Sequence, residues 1–208
     1  MKRFALVLIA IILTAGTAMA QITDLIISEY VEGSSNNKAV EIFNGSGNDI
    51  ALGDYSLLLY ANGNTSPIYT IAFDAVTLNQ GDAFVLVNSN ASAALALYAD
   101  QLSGSLTFNG DDALVLTNGS EVIDSIGTVG FDPGSGWICD QGSTVNHTMR
   151  RKSDICQGDT DPSDVFDVCM EWNFFAMDTF DDLGLHNTDC ESVSNRAGSW
   201  GALKAIYR

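Results

Sequence analysis

The chain has 208 residues, of which 26 are acidic and nine are basic, and its formal net charge at pH 7 is −17. Hydrophobic residues make up 46% of the sequence, which is enough to form a buried core in one domain of this length. Such a negative charge repels phosphate backbones, so it disfavours general binding of DNA or RNA and favours basic partners and divalent cations.

The first twenty residues have the pattern of a secretory signal peptide. Lys2 and Arg3 precede an uninterrupted apolar run, and small residues that include Ala18 and Ala20 end it. The run is shorter than the roughly 20 residues that a membrane-spanning helix requires. We therefore expect cleavage before Gln21 and an exported protein, either secreted or held in the periplasm or on the outer surface. An uncleaved N-terminal anchor is the alternative.

The sequence between residues 25 and 126 predicts short β-strands separated by turns rich in Gly, Asn, Asp and Ser. The connections are too short for the helical crossovers that a parallel sheet needs, so we expect an antiparallel sandwich or barrel. The clearest strands are LIISEY (25–30), KAVEIF (38–43), YSLLLYA (55–61), AFVLVN (83–88), ALVLT (113–117) and EVIDSIG (121–127).

Several of these strands are apolar on both faces. Val40 and Ile42 share one face of their strand, whereas Glu41 and Phe43 share the other, and the strand at 83–88 alternates in the same way. We expect a loop, a helix or another domain to cover the second face.

One stretch departs from the β pattern. The segment from Asn90 to Gln101 is rich in alanine, begins with residues suited to an N-cap and is long enough for about three helical turns. It predicts a single helix that crosses between sheet edges.

All four cysteines lie in the last third of the chain, and an even number in an exported protein predicts two disulfides. Nearest-neighbour loops favour pairing of the first cysteine with the second and of the third with the fourth, although the crossed pairings stay open. A zinc site is disfavoured, because there is no C-x-x-C pair and because His147 and His186 are not spaced as ligands. The cysteines are Cys139, Cys156, Cys169 and Cys190.

The segment HTMRRK, from His147 to Lys152, is the one basic cluster between residues 21 and 190. We expect it to form a strand whose cations make internal salt bridges with the many carboxylates. A ligand-binding patch is the alternative.

Four aspartates crowd nine positions around Pro162, in a spacing that does not match an EF-hand. Calcium takes 6 to 8 oxygen ligands and would relieve the repulsion among these carboxylates. The alternative is a solvated acidic turn paired with Arg150, Arg151 or Lys152. The candidate calcium ligands are Asp159, Asp161, Asp164 and Asp167.

Glu29, Glu41 and Glu171 are the carboxylates to consider as a catalytic pair of the glycoside hydrolase type. Glu29 and Glu41 lie on successive predicted strands and can be neighbours on one sheet face, where pairing with Lys38 gives them a structural role. The sequence has no G-x-S-x-G elbow and no phosphate-binding loop. We therefore expect no catalytic centre and no required cofactor.

The last ten residues, SWGALKAIYR (199–208), differ from the rest of the chain. They contain two cations, no acid, and apolar residues at Trp200, Leu203 and Ile206, which is a helical spacing. The polar stretch at 191–198 would link this tail to the domain. The tail could dock on the sandwich as a short amphipathic helix, or a partner or an export system could recognise it.

Five strings in the first part of the chain resemble the lamin tail domain family, an immunoglobulin-like sandwich found in nuclear lamins and in many bacterial secreted proteins. The resemblance covers roughly residues 22–126. The strings are LIISEYVEGSSNNKAVEIFN, LGDYSL, LNQGDAFVLVN, FNGDDALVL and EVIDSIG.

The continuation through about Asn187, with GSGW, HTMRRKSDICQGDTDPSDVFD and EWNFFAMDTFDDLGLHN, resembles a longer bacterial form. That form is similar to the module that precedes the catalytic domain in secreted bacterial nucleases. Such a catalytic domain needs well over 200 further residues, and only about twenty follow Asn187 here. The resemblance therefore implies a module without its own catalytic domain.

Together these observations predict an all-β, immunoglobulin-like antiparallel β-sandwich with one short helix and an irregular, disulfide-bearing C-terminal extension. Residues 1–20 are the signal peptide, 21–190 the domain and 191–208 the linker and tail. The expected function is a secreted, non-catalytic binding or surface module for an unknown protein or cell-surface ligand. The alternatives are an accessory module of a nuclease or other hydrolase encoded on a separate chain, and a structural cell-surface component.

Overall fold

The computed structural model describes residues 21–192, so the predicted signal peptide and the tail at 193–208 lie outside the described residues. Two four-residue helices, α1 (Ala93–Ala96) and α2 (Val168–Glu171), accompany a 3-10 turn at Leu52–Asp54. The other elements are strands: β1 (Gln21–Ile22), β2 (Leu25–Glu32), β3 (Lys38–Asn44), β4 (Ile50–Ala51), β5 (Tyr55–Tyr60), β6 (Tyr69–Ala72), β7 (Thr77–Leu78), β8 (Ala83–Asn88), β9 (Gln101–Ser103), β10 (Ala113–Asn118), β11 (Glu121–Ile126), β12 (Ile138–Cys139), β13 (Gly142–Ser143), β14 (His147–Arg151), β15 (Trp172–Ala176) and β16 (Glu191–Ser192).

Two sheets form the body of the protein. The larger has six strands in the order β15-β14-β2-β3-β8-β9, and the smaller has four in the order β11-β10-β5-β6. Neighbouring strands run antiparallel except for β8 and β9, which run parallel. Three two-stranded pairs, β1-β16, β4-β7 and β12-β13, lie outside these sheets.

The main hydrophobic core lies between the two sheets. Val40 and Ile42 of β3 belong to the same buried cluster as Leu57 and Leu59 of β5, in the opposite sheet. Burying one such side chain contributes roughly 1.5–3 kcal/mol, so the core is the largest source of stability. This arrangement confirms the predicted immunoglobulin-like β-sandwich, and all six strands predicted between residues 25 and 127 are present.

The outer face of the six-stranded sheet is also covered, as its apolar side chains predicted. Val85 and Val87 of β8 pack in a second buried cluster with Leu95 of α1 and Leu183. The helix region and the segment near residue 183 therefore turn this sheet into the middle layer of the molecule.

The predicted three-turn helix at Asn90–Gln101 is wrong in its length. Ser92 caps α1 by accepting a hydrogen bond from the Leu95 N–H, but the helix ends at Ala96. Downstream, the Asp100 N–H donates to the Val85 carbonyl and β9 begins at Gln101, so pairing with β8 replaces further helical turns. The helix connects neighbouring strands of one sheet and does not cross between sheet edges.

The C-terminal extension is less irregular than the sequence suggested. The segment HTMRRK forms β14, as predicted, and β14 pairs with β2 of the core. The strand β15, which the sequence analysis did not identify, pairs with β14 and completes the edge of the six-stranded sheet. The extension is thus part of the sandwich.

Two disulfides join the four cysteines, as predicted, but the favoured pairing is wrong. Cys139 bonds Cys169, with 6.0 Å between the Cα atoms, and Cys156 bonds Cys190, with 5.6 Å. The pairing is crossed: Cys169 of α2 is joined to Cys139 of β12 where these two elements pack together.

Between residues 21 and 192, no helix has the length and the apolar character that crossing a membrane requires.

Candidate functional site

Glu29 and Glu41 are cross-strand neighbours, as the sequence analysis predicted. The register places Arg150 of β14 opposite Glu29 of β2, and Glu29 opposite Glu41 of β3. The three side chains form a polar row on the outer face of the six-stranded sheet. The predicted pairing with Lys38 is wrong, since the Lys38 ammonium donates to Glu32 Oε1 at 2.7 Å and the Gly33 carbonyl at 2.7 Å.

Both glutamates are buried, with 1% of Glu29 and none of Glu41 exposed. Burial raises the pKa of Glu29 to about 8, although Arg150, whose Nε lies 3.1 Å from Glu29 Oε2, opposes the shift. Burial likewise raises the pKa of Glu41 to about 7 against hydrogen bonds from Ser28 Oγ and the Gly184 N–H. Glu29 Oε1 is a buried atom without a hydrogen-bond partner among the described residues.

A loop of the extension closes over this row. Asp181 accepts a hydrogen bond from Arg150 Nη2 at 2.5 Å, and Asp182 lies 3.6 Å from Arg150 Nε. His186 packs edge-on against Phe43, with 4.9 Å between ring centroids. Burial lowers the pKa of His186 to about 4, helped by Arg151 and opposed by Asp182. Asp181 and Asp182 thus lie against Arg150 beside the row, and Glu29 and Glu41 are buried beneath this loop.

A second buried network joins the two sheets. Arg151 Nη2 donates to Asp124 Oδ2 of β11 at 2.7 Å, and Nη1 donates to Glu171 Oε2 at 2.5 Å. The Arg151 guanidinium also lies 4.5 Å from the centroid of the Trp172 ring. Arg150 and Arg151 are consecutive in β14 and therefore face opposite sides of the sheet. Glu171 consequently belongs to a different network from Glu29 and Glu41.

Asp124 is the hub of the second network. Its carboxylate accepts from the backbone N–H groups of Ile27, Ser125 and Asp159, as well as from Arg151. Burial raises the pKa of Asp124, while Arg151 and these N–H groups oppose the shift. A Cβ on Gly158 would collide with the Ile123 carbonyl oxygen, so a glycine there lets the extension reach Asp124. Asp124 therefore links the six-stranded sheet, the four-stranded sheet and the extension.

The basic strand makes internal salt bridges, as predicted, but not with the four aspartates proposed as calcium ligands. Arg150 and Arg151 bind the carboxylates of the two buried networks, and Lys152 Nζ donates to the carbonyls of Cys169 and Met170. The alternative pairing of the acidic turn with these cations is therefore wrong.

The four aspartates proposed as calcium ligands make mostly local hydrogen bonds. Asp159 accepts from Ser125 Oγ at 3.0 Å, Asp161 from Ser163 Oγ at 2.6 Å, and Asp167 caps α2 through the Cys169 N–H at 3.0 Å. In residues 21–192, no group of three or more His, Cys, Asp or Glu side chains is arranged to hold a metal ion. Calcium binding at Asp159, Asp161, Asp164 and Asp167 stays a prediction.

An apolar surface on the extension is the most exposed hydrophobic feature near the disulfides. Val165 is 91% exposed, Ile138 70%, Met170 68% and Phe131 55%. Three adjoining depressions, of about 540, 400 and 280 Å³, all share Val165 and Phe166 in their walls. We call this region the extension surface; its apolar members are Phe131, Trp137, Ile138, Val165, Phe166 and Met170.

Hydrogen bonds to backbone carbonyls and an aromatic contact hold the extension surface in place. Thr128 Oγ1 donates to the Asp164 carbonyl at 2.8 Å, and the Val129 N–H donates to the Pro162 carbonyl at 2.7 Å. Trp137 and Phe166 pack edge to face beneath, with 5.7 Å between ring centroids. The neighbouring loop is therefore fixed with Val165 pointing outward.

Carboxylates surround the extension surface. Asp140 and Asp167 line one depression, and Asp159 and Asp164 line another. The Asp159 carboxylate, with smaller effects of desolvation and Asp161, raises the pKa of Asp164. These acids could be identified from the sequence, but the apolar surface between them could not. The only signal was apolar residues such as Ile138 and Val165 within loops otherwise rich in Gly, Asp and Ser.

A family model for the lamin tail domain matches residues 18–130. The match spans β1 to β11 and therefore contains the whole four-stranded sheet and all but the β14-β15 edge of the six-stranded one. A search of curated proteins found no match to the chain.

Proposed function

Because the chain belongs to the lamin tail domain family, we propose that it is an exported, non-catalytic binding or surface module. The observation that carries the proposal is the burial of Glu29 and Glu41 beneath the extension, with 1% and 0% exposure. Glu171 is held by Arg151 in the separate network. The carboxylates that could act in hydrolysis thus have structural partners. The two disulfides and the signal-peptide pattern support export, since disulfides persist in oxidising compartments.

A hydrolysis assay tests the non-catalytic part of this proposal. Purified chain from Gln21 onward is incubated with single- and double-stranded DNA, RNA and polysaccharide, with Mg²⁺ or Ca²⁺. We expect no product above the protein-free blank. Turnover that persists through purification and is lost in Glu41→Gln, but not in the exposed control Glu121→Gln, would overturn the proposal.

A second candidate is an accessory module for a secreted nuclease or other hydrolase on a separate chain. The extension favours it, because residues of HTMRRKSDICQGDTDPSDVFD, which resemble the module of secreted nucleases, build β14 and part of the extension surface. A catalytic chain encoded beside this one, whose turnover rises when the purified protein is added, would support this role.

A structural cell-surface component is the third possibility, and fractionation into medium, periplasm and outer membrane separates it from a soluble binder. Calcium as a ligand of the acidic turn is a further proposal. It is dropped if calorimetry with millimolar Ca²⁺ gives no heat of binding.

A further inference from the structure

The described part of the chain carries far more negative charge than its own cations neutralise. Residues 21–192 contain four basic side chains against all 26 acidic ones, a formal charge of −22. Each of the four cations is already bound internally: Lys38 to Glu32, Arg150 to Glu29, Arg151 to Asp124, and Lys152 to backbone carbonyls. Many of the remaining carboxylates accept hydrogen bonds from neutral groups, such as Asp178 from Ser34 and Asn37, and these bonds leave their negative charge uncompensated.

The other cations of the chain lie outside the described residues. Lys2 and Arg3 belong to the predicted signal peptide. The segment 193–208 contains Arg196, Lys204 and Arg208, and it has no acidic residue. It also has the apolar residues that sequence analysis placed on one side of a short helix, including Trp200 and Leu203. The segment is therefore complementary to the rest of the chain in charge and carries apolar groups as well.

The extension surface is complementary to this segment in charge and in apolar character. It exposes Ile138 and Val165 between the carboxylates of Asp140, Asp164 and Asp167. Among the described residues that line its three depressions there is no lysine or arginine. An exposed apolar patch with a polar rim is typical of a site that another segment covers.

We propose that the C-terminal segment 199–208 of this chain docks on the extension surface. Trp200 and Leu203 cover the apolar side chains around Val165. Lys204 and Arg208 lie against the carboxylates at the rim.

The attachment of the segment to the body allows this contact. Cys190 is bonded to Cys156, with 5.6 Å between their Cα atoms. Nine residues separate Cys156 from Val165, a path of at most about 32 Å, which the turn at 161–164 shortens. Glu191 and Ser192 form β16, which pairs with β1, so the free linker begins after Ser192. Eight residues from Ser192 to Trp200 span up to about 26–29 Å, which is comparable with the path from the disulfide to Val165, so the contact requires a nearly extended linker.

Because segment 199–208 is attached to the domain, its docking is favoured over the binding of a separate peptide of the same chemistry. Attachment to the same chain makes docking an intramolecular step, with an effective concentration on the order of millimolar for a short linker. A basic, apolar peptide from another protein would have to displace the docked segment before it could bind. This inference goes beyond the proposed function, since it holds whether or not the module has a further ligand.

A peptide added in trans tests the docking. The protein is the chain from Gln21 to Arg208 with Trp200→Ser and Leu203→Ser, which disables its own segment. The probe is a fluorescent peptide of residues 193–208, followed by anisotropy. We expect the peptide to bind this variant at least ten-fold more tightly than the wild-type chain, in which the attached segment occupies the surface. Affinity should fall as NaCl is raised, because the exposed charges are screened.

Surface variants locate the binding. Val165→Ser and Ile138→Ser, introduced together into the same protein, should weaken peptide binding at least ten-fold. Leu97→Ser is the matched control, because Leu97 is 87% exposed and lies outside the extension surface, and it should leave the affinity unchanged. Failure of the peptide to bind, or equal binding to the wild-type chain and the tail variant, would overturn the proposal.

A zero-length carbodiimide cross-link on the wild-type chain gives an independent measurement. The Lys204 amine should couple to Asp140, Asp164 or Asp167 within one molecule, and Lys204→Arg should remove the product. Coupling only to carboxylates elsewhere, or only between differently labelled copies of the chain, would contradict docking on the extension surface of the same molecule.

Discussion

Arg151 and Asp124 form a salt bridge in which neither side chain is exposed. Desolvation of two charges costs several kcal/mol, and their attraction offsets it only when the remaining hydrogen-bonding groups are satisfied. Here Asp124 has three backbone donors, and Arg151 Nε donates to the Ile27 carbonyl at 2.7 Å. The Arg151–Asp124 pair therefore has all its hydrogen bonds only when the whole network is present. Loss of either charged side chain leaves the other charge buried without its partner.

Replacing Arg151 with methionine should lower the free energy of unfolding by about 3–5 kcal/mol, because it leaves the Asp124 carboxylate buried without its partner. The control is Lys152→Met, which removes the next cation along the chain but leaves no carboxylate unpaired. This substitution should lower the free energy of unfolding by clearly less. Urea denaturation of the two variants measures the difference. Equal losses for both substitutions would show that the network is not a special source of stability.

Residue contacts could be predicted from sequence only where the strands are close along the chain. Glu29 and Glu41 lie on successive strands joined by a short turn, so their proximity follows from the alternation of each strand. The partner of Glu29 is Arg150, which is 121 residues away in sequence. That pairing depends on the register of β14 against β2, which no local pattern specifies.

At the scale of elements, the extension is fixed by strand pairing and by two disulfides. The strand β14 joins the core sheet through β2, while Cys156–Cys190 holds the segment that precedes β16. Sequence spacing favoured the shortest disulfide loops, but in the fold Cys169 of α2 lies against Cys139 of β12. The alanine-rich segment shows the same effect, since β9 pairs with β8 where local propensity favoured helix.

Removing Cys139–Cys169 by the double substitution Cys139→Ser, Cys169→Ser should lower the free energy of unfolding by about 2–4 kcal/mol, since the bond closes a loop across 30 positions. Denaturant unfolding under non-reducing conditions measures it. Mapping the wild-type protein without reduction, after cleavage at acidic residues, should recover Cys139 linked to Cys169. Recovery of a Cys139–Cys156 peptide would contradict the structure.

At the scale of the whole molecule, the six-stranded sheet is a middle layer with the main core on one side and α1 and the segment near Leu183 on the other. The sequence predicted this covered second face from strands that are apolar on both sides, but it could not identify what covers it. The cover includes a polar row, in which Glu29 and Glu41 are enclosed by the loop that carries Asp182 and His186. We propose that Glu29 and Glu41 keep their protons in the folded state and have a structural role in this row.

The dependence of stability on pH follows from the shifted pKa values. Glu29 and Glu41 have pKa values of about 8 and about 7 when folded, against an ordinary value of 4.5, so the folded state keeps protons that the unfolded chain releases. Stability should therefore fall as the pH rises from 4.5 to about 8. His186 has the opposite effect, at lower pH. Its pKa is about 4 when folded against an ordinary value of 6.5, so stability is lost as the pH falls from 6.5 towards 4.

The most direct test is the free energy of unfolding between pH 6.5 and 9, where His186 contributes only about 0.4 kcal/mol, in the opposite direction. For the wild-type chain we expect a loss of about 2–3 kcal/mol across this range, at about 1.4 kcal/mol for each pKa unit and group. The double variant Glu29→Gln, Glu41→Gln should remove most of this slope, and the exposed control Glu121→Gln should keep it. A wild-type stability that does not change with pH, or a slope that survives in the double variant, would contradict the account.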